Sequence, residues 1–341
     1  MTKIVLDLHI EELCIAKPNL TVRINGNTYC QVENNADCVV QAPREHAWGE
    51  FVGACVTELE ATGRMRTAEI YRSAWHNFMH WHDNEDIDIG SVDSGLMKRY
   101  ESYLRNRGLS LNTISFNMRV LRSCYNKAVE MHDLRNAQPF KNVYTKIGET
   151  AKRSLDLASL RRIKDCRRLS RSEAFARDMF LFSLYTRGMS WVDMAYLQHD
   201  NLHNGLLCYR RRKTGQDIVV KWESCMQEIV DRYKSKSHAG FLLPIIHSRN
   251  GKERNQYRGK QNEVNNLLKA VAVKAGLECR LTMYVARHSW ANAAQDLNTP
   301  LEVISHALGH TSTKTTRIYL QSIKNNIIDE INTDILKELG A

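Results

Sequence analysis

From Trp48 to Val129 the apolar residues keep step with an α-helix, and that periodicity constrains the fold more than any other feature of the chain. Phe51, Cys55 and Leu59, then Ile70, Ala74, Phe78 and Trp81, recur at three- and four-residue steps. Leu96, Tyr100, Tyr103 and Leu104 continue the pattern. Ile114, Met118, Leu121, Tyr125 and Val129 line one face of a further helix that begins after Ser110. Residues at those steps share a helix face, so each segment must bury its stripe against the others. Residues 43–133 therefore read as a bundle of about four helices.

The rhythm then breaks. Asn136, Pro139, Asn142, Gly148 and the pair Lys152-Arg153 mark residues 134–154 as an interdomain linker. A second domain is expected over 155–325. Ser170-Arg-Ser-Glu173 has the capping-box pattern and precedes the apolar run from Phe175 to Leu184. Leu206–Tyr209 and Ile218–Val220 read as strands of a hairpin, with Gly215 at the flexible turn position and Lys213 at the tip. From Gln261 onward the pattern is mostly helical. Residues 1–42 differ: Thr21–Ile24 alternates and is closed by Asn25-Gly26-Asn27, as in a small β-rich or loosely ordered arm. In 326–341, Ile327, Ile331, Ile335 and Leu339 form a narrow apolar stripe on a C-terminal helix. The expected fold class is mainly α with a small β-sheet, a helical bundle followed by a mixed α/β domain.

A chain of 341 residues exceeds one ordinary core, in agreement with two domains. The formal charge of +10 favours a polyanionic partner, nucleic acid being the commonest, over mere solubility. Nine scattered cysteines with no CxxC pair fit reduced thiols in a cytoplasm. No run approaches the roughly 20 apolar residues of a membrane span, so a cytoplasmic, DNA-associated protein without membrane partners is expected. His76, His80 and His82 lack the glutamate of an HExxH motif and an evident third ligand, and read as a packed or solvated helix face with no metal.

The last eighty residues carry the chemistry. Tyr284, Arg287 and His288 fall at i, i+3 and i+4 of one helix, Leu308-Gly-His310 follows, and Tyr319 stands nine residues beyond His310. Guanidinium and imidazole donors suit the non-bridging oxygens of a phosphodiester, where charge grows in the transition state. A tyrosine is a weak nucleophile until nearby cations lower its pKa. Its phosphate ester would then store the bond energy for rejoining.

These stretches resemble the tyrosine recombinase (phage integrase) family, in particular the integrases and invertases of bacterial mobile elements. The matching pieces are Phe180–Leu197, Arg212-Lys-Thr-Gly215, Leu281–Trp290, Leu308-Gly-His310 and Thr315–Leu320, in family order. The helical bundle resembles the family's SAM-like core-binding domain by position and pattern. The resemblance implies that Tyr319 forms a 3′-phosphotyrosyl link, that Arg287 clamps the scissile phosphate and that His310 hydrogen-bonds it. It also implies that Lys213 protonates the leaving 5′-oxygen, with no cofactor. The implied partners are double-stranded DNA recombination sites, a homo-tetramer on DNA and, as an option, a DNA-bending accessory protein. The C-terminal helix would dock on a neighbouring protomer, with packing in cis as the alternative. Arg119 and Arg122 of the bundle, and Arg210, Arg211 and Arg212 of the hairpin, are candidate DNA contacts, a solvated face being the plainer fate of any one.

Two positions depart from the family pattern. Tyr284 stands where a histidine is usual, and a phenol is a poor base near neutral pH. Ser190 stands where the first catalytic arginine is expected. Arg187, one helical turn earlier, is the preferred substitute and Arg177 the runner-up; the third reading is that nothing replaces it. Three functions compete on this reading. A recombinase serving integration, excision or inversion leads; a DNA-binding protein that has lost cleavage and a relaxing enzyme of the type IB topoisomerase kind follow.

Overall fold

The computed structural model describes residues 12–16, 19–24, 27–32, 46–148, 154–310, 312, 313 and 316. The chain divides into two compact units, 1–149 and 150–341. Among the described residues no helix is long and apolar enough to cross a membrane. Tyr319, the stripe from Ile327 to Leu339 and the turn residues Asn25 and Gly26 lie outside the described residues.

In the first unit β1 (Glu12–Ala16), β2 (Asn19–Ile24) and β3 (Asn27–Val32) form an antiparallel sheet in that order, with Ile24 opposite Asn27. Four helices follow: α1 (Trp48–Ala61), α2 (Met65–Trp81), α3 (Ser94–Asn106) and α4 (Leu111–Met131). Their apolar stripes meet on Trp48, Phe78, Met97, Tyr100, Ile114 and Met118, all fully buried. The Trp48 ring meets Trp75 and Phe78 edge-on at 5.1 and 5.3 Å. Asp93 and Ser110 cap α3 and α4 by accepting from the backbone of Leu96 and Thr113.

The stretch expected to be a linker is largely part of this unit. Phe140 and Val143 are buried in the bundle core. The Tyr144 amide donates to Glu101 at 3.3 Å, and the Gly148 amide donates to Asn112 at 2.7 Å. The sequence shows why the reading missed it: two apolar residues packed from irregular backbone leave no period to detect.

The second unit contains α5 (Leu157–Asp165), α6 (Arg171–Tyr185) and α7 (Trp191–Ala195). Then come β4 (Leu202–His203), β5 (Leu206–Arg210), β6 (Asp217–Lys221), α8 (Ser224–Tyr233), α9 (Glu253–Lys274), α10 (Met283–Asp296) and α11 (Leu301–Ala307). The three strands form an antiparallel sheet. Helix α6 is central: Met179, Phe180 and Phe182 are fully buried in one core with Leu268 and Val271 of α9 and Ala286 of α10. Its capping box is formed, the Glu173 amide donating to Ser170 Oγ while the Ser170 amide donates to Glu173 Oε2 at 2.7 Å. Asp178, 1% exposed, accepts from Arg177, Arg232 and Tyr233, so Arg177 serves the helix packing.

Arg187 is not on a helix. Helix α6 ends at Tyr185, and Arg187 and Gly188 both take left-handed backbone, at φ 60° and 71°. Ser190 then caps α7 by accepting from the Asp193 amide. The three-residue helical step that would place Arg187 on the face of Ser190 does not exist here.

Candidate active site

Helix α10 carries Arg287 inward, 5% exposed. Its Nη1 donates to the Gly188 carbonyl at 2.8 Å; Nη2 donates to the Leu308 carbonyl and to His310 Nε2 at 3.0 Å. The reach is short because Gly188 has no side chain: a Cβ there would lie 2.7 Å from Arg287 Cα. His310, 8% exposed, follows α11 after Gly309, whose φ of 62° turns the chain. Its Nδ1 sits 2.8 Å from the hydroxyl of the fully buried Thr316. An arginine can only donate, so Nε2 is the acceptor and the neutral ring carries its hydrogen on Nδ1, donating to Thr316.

Burial, and then the positive charges of Arg287, Arg211 and Lys213, push the His310 pKa from 6.5 down to about 4. Unfolding lets the ring take a proton more readily. Stability from this source is therefore complete above about pH 6.5 and is lost as pH falls toward 4. The urea midpoint of the second unit should drop on going from neutral pH to about pH 5, and His310→Gln should flatten that drop. An unchanged slope in the variant would show that His310 does not titrate this way.

The hairpin of β5 and β6 supplies the other wall. Arg211 begins its loop, its amide donating to Gln216 O and its carbonyl accepting from Gly215, each at 2.8 Å. The Arg211 side chain is 5% exposed, and Nη1 donates to the Gly309 carbonyl. A Cβ on Gly309 would lie 3.2 Å from Arg211 Cδ, so glycine is what admits the side chain. Arg211 Nε is buried without a hydrogen-bond partner, and among the described residues no carboxylate pairs with this guanidinium. Lys213 is exposed on the same loop.

The structure thus gathers Arg287, His310 and Arg211, with Lys213 close enough for its charge to act on His310. Arg211, read from sequence as part of a basic DNA-facing patch, is instead interior. Its neighbours do face outward: Arg210 donates to Gly215 O, and Arg212 stacks on Tyr196 at 3.7 Å. The strand ends at Arg210 and Arg212 already lies in the turn, so the sequence carries no regular period that separates the interior Arg211 from its neighbours. Arg187 is engaged elsewhere, donating to the Val219 carbonyl of β6 at 3.3 Å. Tyr284 shares α10 with Arg287 but is 58% exposed, its ring edge-on to His288 at 4.6 Å. Arg119 and Arg122 lie on α4 of the other unit, Arg119 donating to Ser115 O and Arg122 exposed. The glycine before His310 is readable from sequence as a tight turn, but Thr316, Gly188 and the approach of Arg211 to Gly309 are not, because nothing in their local sequence marks a tertiary neighbour.

The family model described as "Phage integrase family" matches residues 155–326, more than half of the chain, and "Phage integrase SAM-like domain" matches 49–147. The chain belongs to the phage integrase family. Curated relatives are remote. Tyrosine recombinase XerC of Pediococcus pentosaceus is 25% identical over 253 residues, 71% of this chain and 82% of its own length. Tyrosine recombinase XerD of Chlorobaculum tepidum is 22% identical over 305 residues, 85% and 97% respectively. Among solved structures, a lambda integrase dimer bound to a core site superimposes with TM-score 0.61 at 14% identity, covering 80% of this chain and 94% of that one. A lambda integrase tetramer bound to a Holliday junction gives 0.61 at 12%, covering 93% and 97%. The Tn1549 transposon integrase bound to circular intermediate DNA gives 0.57 at 14%, covering 85% and 100%. At such identities the superpositions establish the shared integrase fold.

Proposed function

We propose that this phage integrase family member cuts and rejoins double-stranded DNA at specific recombination sites through a 3′-phosphotyrosyl intermediate, with Tyr319 as nucleophile. The observation that carries this reading is the pair of buried guanidinium groups, Arg287 and Arg211, set around His310 and held largely by backbone carbonyls. Guanidinium forks gathered in a buried pocket match the oxygens of a scissile phosphate.

In the proposed step the Tyr319 hydroxyl oxygen attacks phosphorus and its proton passes to water. The P–O5′ bond breaks as Lys213 protonates the departing oxygen. Attack by a 5′-hydroxyl from the partner strand runs the step backwards and joins the new strands, with no external energy source. Arg287, Arg211 and His310 hold the non-bridging oxygens as charge accumulates. Tyr284, being largely exposed, serves as a hydrogen-bond donor to DNA and not as the base. Arg119, Arg122, Arg210 and Arg212 would grip phosphates and so position DNA without reading its sequence.

The first unit acts as the core-binding domain, and four copies act together on two duplexes. The lambda integrase tetramer on its junction supports that arrangement. Integration, excision and inversion share this chemistry, and a DNA-bending protein would join the same assembly where distant sites must meet. Cys55, Cys124, Cys166, Cys208, Cys225 and Cys279 are free thiols, which supports a cytoplasmic setting.

The test is covalent trapping on nicked duplexes made from sequence flanking the gene. Wild type should give a denaturant-resistant adduct whose DNA maps to the peptide containing Tyr319, and Tyr319→Phe should give none. An adduct that persists in Tyr319→Phe would reassign the nucleophile. Tight binding with no adduct in wild type would leave a DNA-binding protein that has lost cleavage.

A further inference from the structure

Arg211 reaches the pocket from a loop, and a loop arginine is only as well placed as the backbone that carries it. Its carriers are unusual. Asp193 of α7 is 3% exposed, yet among the described residues no cation pairs with it. Its carboxylate is spent on two neutral donors: Ser190 Oγ donates to Oδ2 at 2.6 Å, and the backbone amide of Arg212 donates to Oδ1 at 2.9 Å. Ser190 also accepts from the Asp193 amide, so the two residues lock each other's side chains.

One residue past the end of the same short helix, Tyr196 carries the Arg212 guanidinium on its ring face. Both the backbone and the side chain of Arg212 are thus tied to α7. With Arg212 tied to α7 at the start of the turn, the preceding Arg211, whose amide and carbonyl close the loop on Gln216 and Gly215, reaches the Gly309 carbonyl and the pocket. A buried carboxylate without an ion pair is costly, and one that grips a loop amide beside a catalytic arginine has a reason to be retained.

We infer that Ser190 is a positioning residue: it orients Asp193 so that the carboxylate sets the hairpin register that delivers Arg211 to the scissile phosphate. Ser190 thereby takes part in the same site without touching the DNA, and the missing arginine at its position is answered by one from the hairpin. The inference rests on the phosphotyrosyl reading above.

The experiment measures single-turnover adduct formation on nicked duplexes by the full chain and by Ser190→Ala, Ser190→Thr, Arg211→Ala and the Ser190→Ala/Arg211→Ala double variant. DNA affinity and thermal midpoint are followed in parallel. Arg211→Ala should slow cleavage by on the order of 100-fold or more, as for loss of one transition-state donor. Ser190→Ala should slow it by about 10-fold with unchanged DNA affinity, and Ser190→Thr, which keeps the hydroxyl, should restore the rate. In the Arg211→Ala background, Ser190→Ala should cost nothing further, because there is no arginine left to place. A neutral methylphosphonate at the scissile position removes the charge to be clamped, so Ser190→Ala and Arg211→Ala should then each approach the wild-type rate. A merely structural serine would give additive losses and the same defect on the neutral substrate, which overturns the inference. Normal cleavage by Arg211→Ala alongside an inert Tyr319→Phe would also sink it while leaving the phosphotyrosyl reading intact. If wild type itself forms no adduct, the reading falls and takes the inference with it.

Discussion

Arg287→Ala is expected to lower the rate of adduct formation by about 10³- to 10⁵-fold, the range seen when an arginine that stabilises phosphoryl-transfer charge is removed. The reason is geometric. Arg287 is fixed before substrate arrives, by the carbonyls of Gly188 and Leu308 and by His310, so none of its orientation has to be found in the transition state. Arg287→Lys keeps a charge but loses the planar fork, and should remain at least about 100-fold slow. Binding should change far less than rate, since the proposed phosphate contacts of both units would supply most of the affinity. Single-turnover trapping with DNA binding measured in parallel separates the two. A rate deficit in Arg287→Ala below about 10-fold would remove this residue from the site.

The second large effect falls on folding. Gly188→Ala places a methyl group 2.7 Å from the Cα of Arg287, a backbone atom that cannot swing aside, at a φ of 71° that alanine resists. The left-handed conformation costs roughly 1–2 kcal/mol and the overpacking about 1–3 kcal/mol. Together these should lower the midpoint of the second unit by on the order of 10 °C. Because the Gly188 carbonyl also holds Arg287, activity should suffer even below that midpoint. A thermal midpoint within about 2 °C of wild type would show that the two segments separate more easily than the geometry implies.

Much of this was legible in the sequence, and the limits follow a physical line. Helices with a repeating apolar face were readable because their burial is periodic, as with Ile114 to Val129 on α4. The capping box at Ser170 and the hairpin around Gly215 were readable because their chemistry is local. The residues Arg287 and His310 stood out as an ordered set. What failed were relations between distant segments. Phe140 and Val143 fill the bundle from irregular backbone. Arg187 follows the end of α6 and donates to the Val219 carbonyl, while Arg211, distant in sequence, enters the pocket from the hairpin. Two successive left-handed residues follow the end of α6, so the helical step from Arg187 to Ser190 does not exist.

The buried guanidinium groups of the pocket are steadied by the peptide carbonyls of Gly188, Leu308 and Gly309 together with His310. Among the described residues there is therefore no carboxylate for an entering phosphate to displace from Arg211. If the pocket takes the scissile phosphate as proposed, it acts as a small anion exchanger, selective for tetrahedral oxyanions that can use several N–H donors over spherical halides that cannot. Sulfate and inorganic phosphate in a buffer should then compete with DNA for it beyond what their ionic strength alone would do. Rates measured on this protein are comparable only when the anion, as well as its concentration, is held the same.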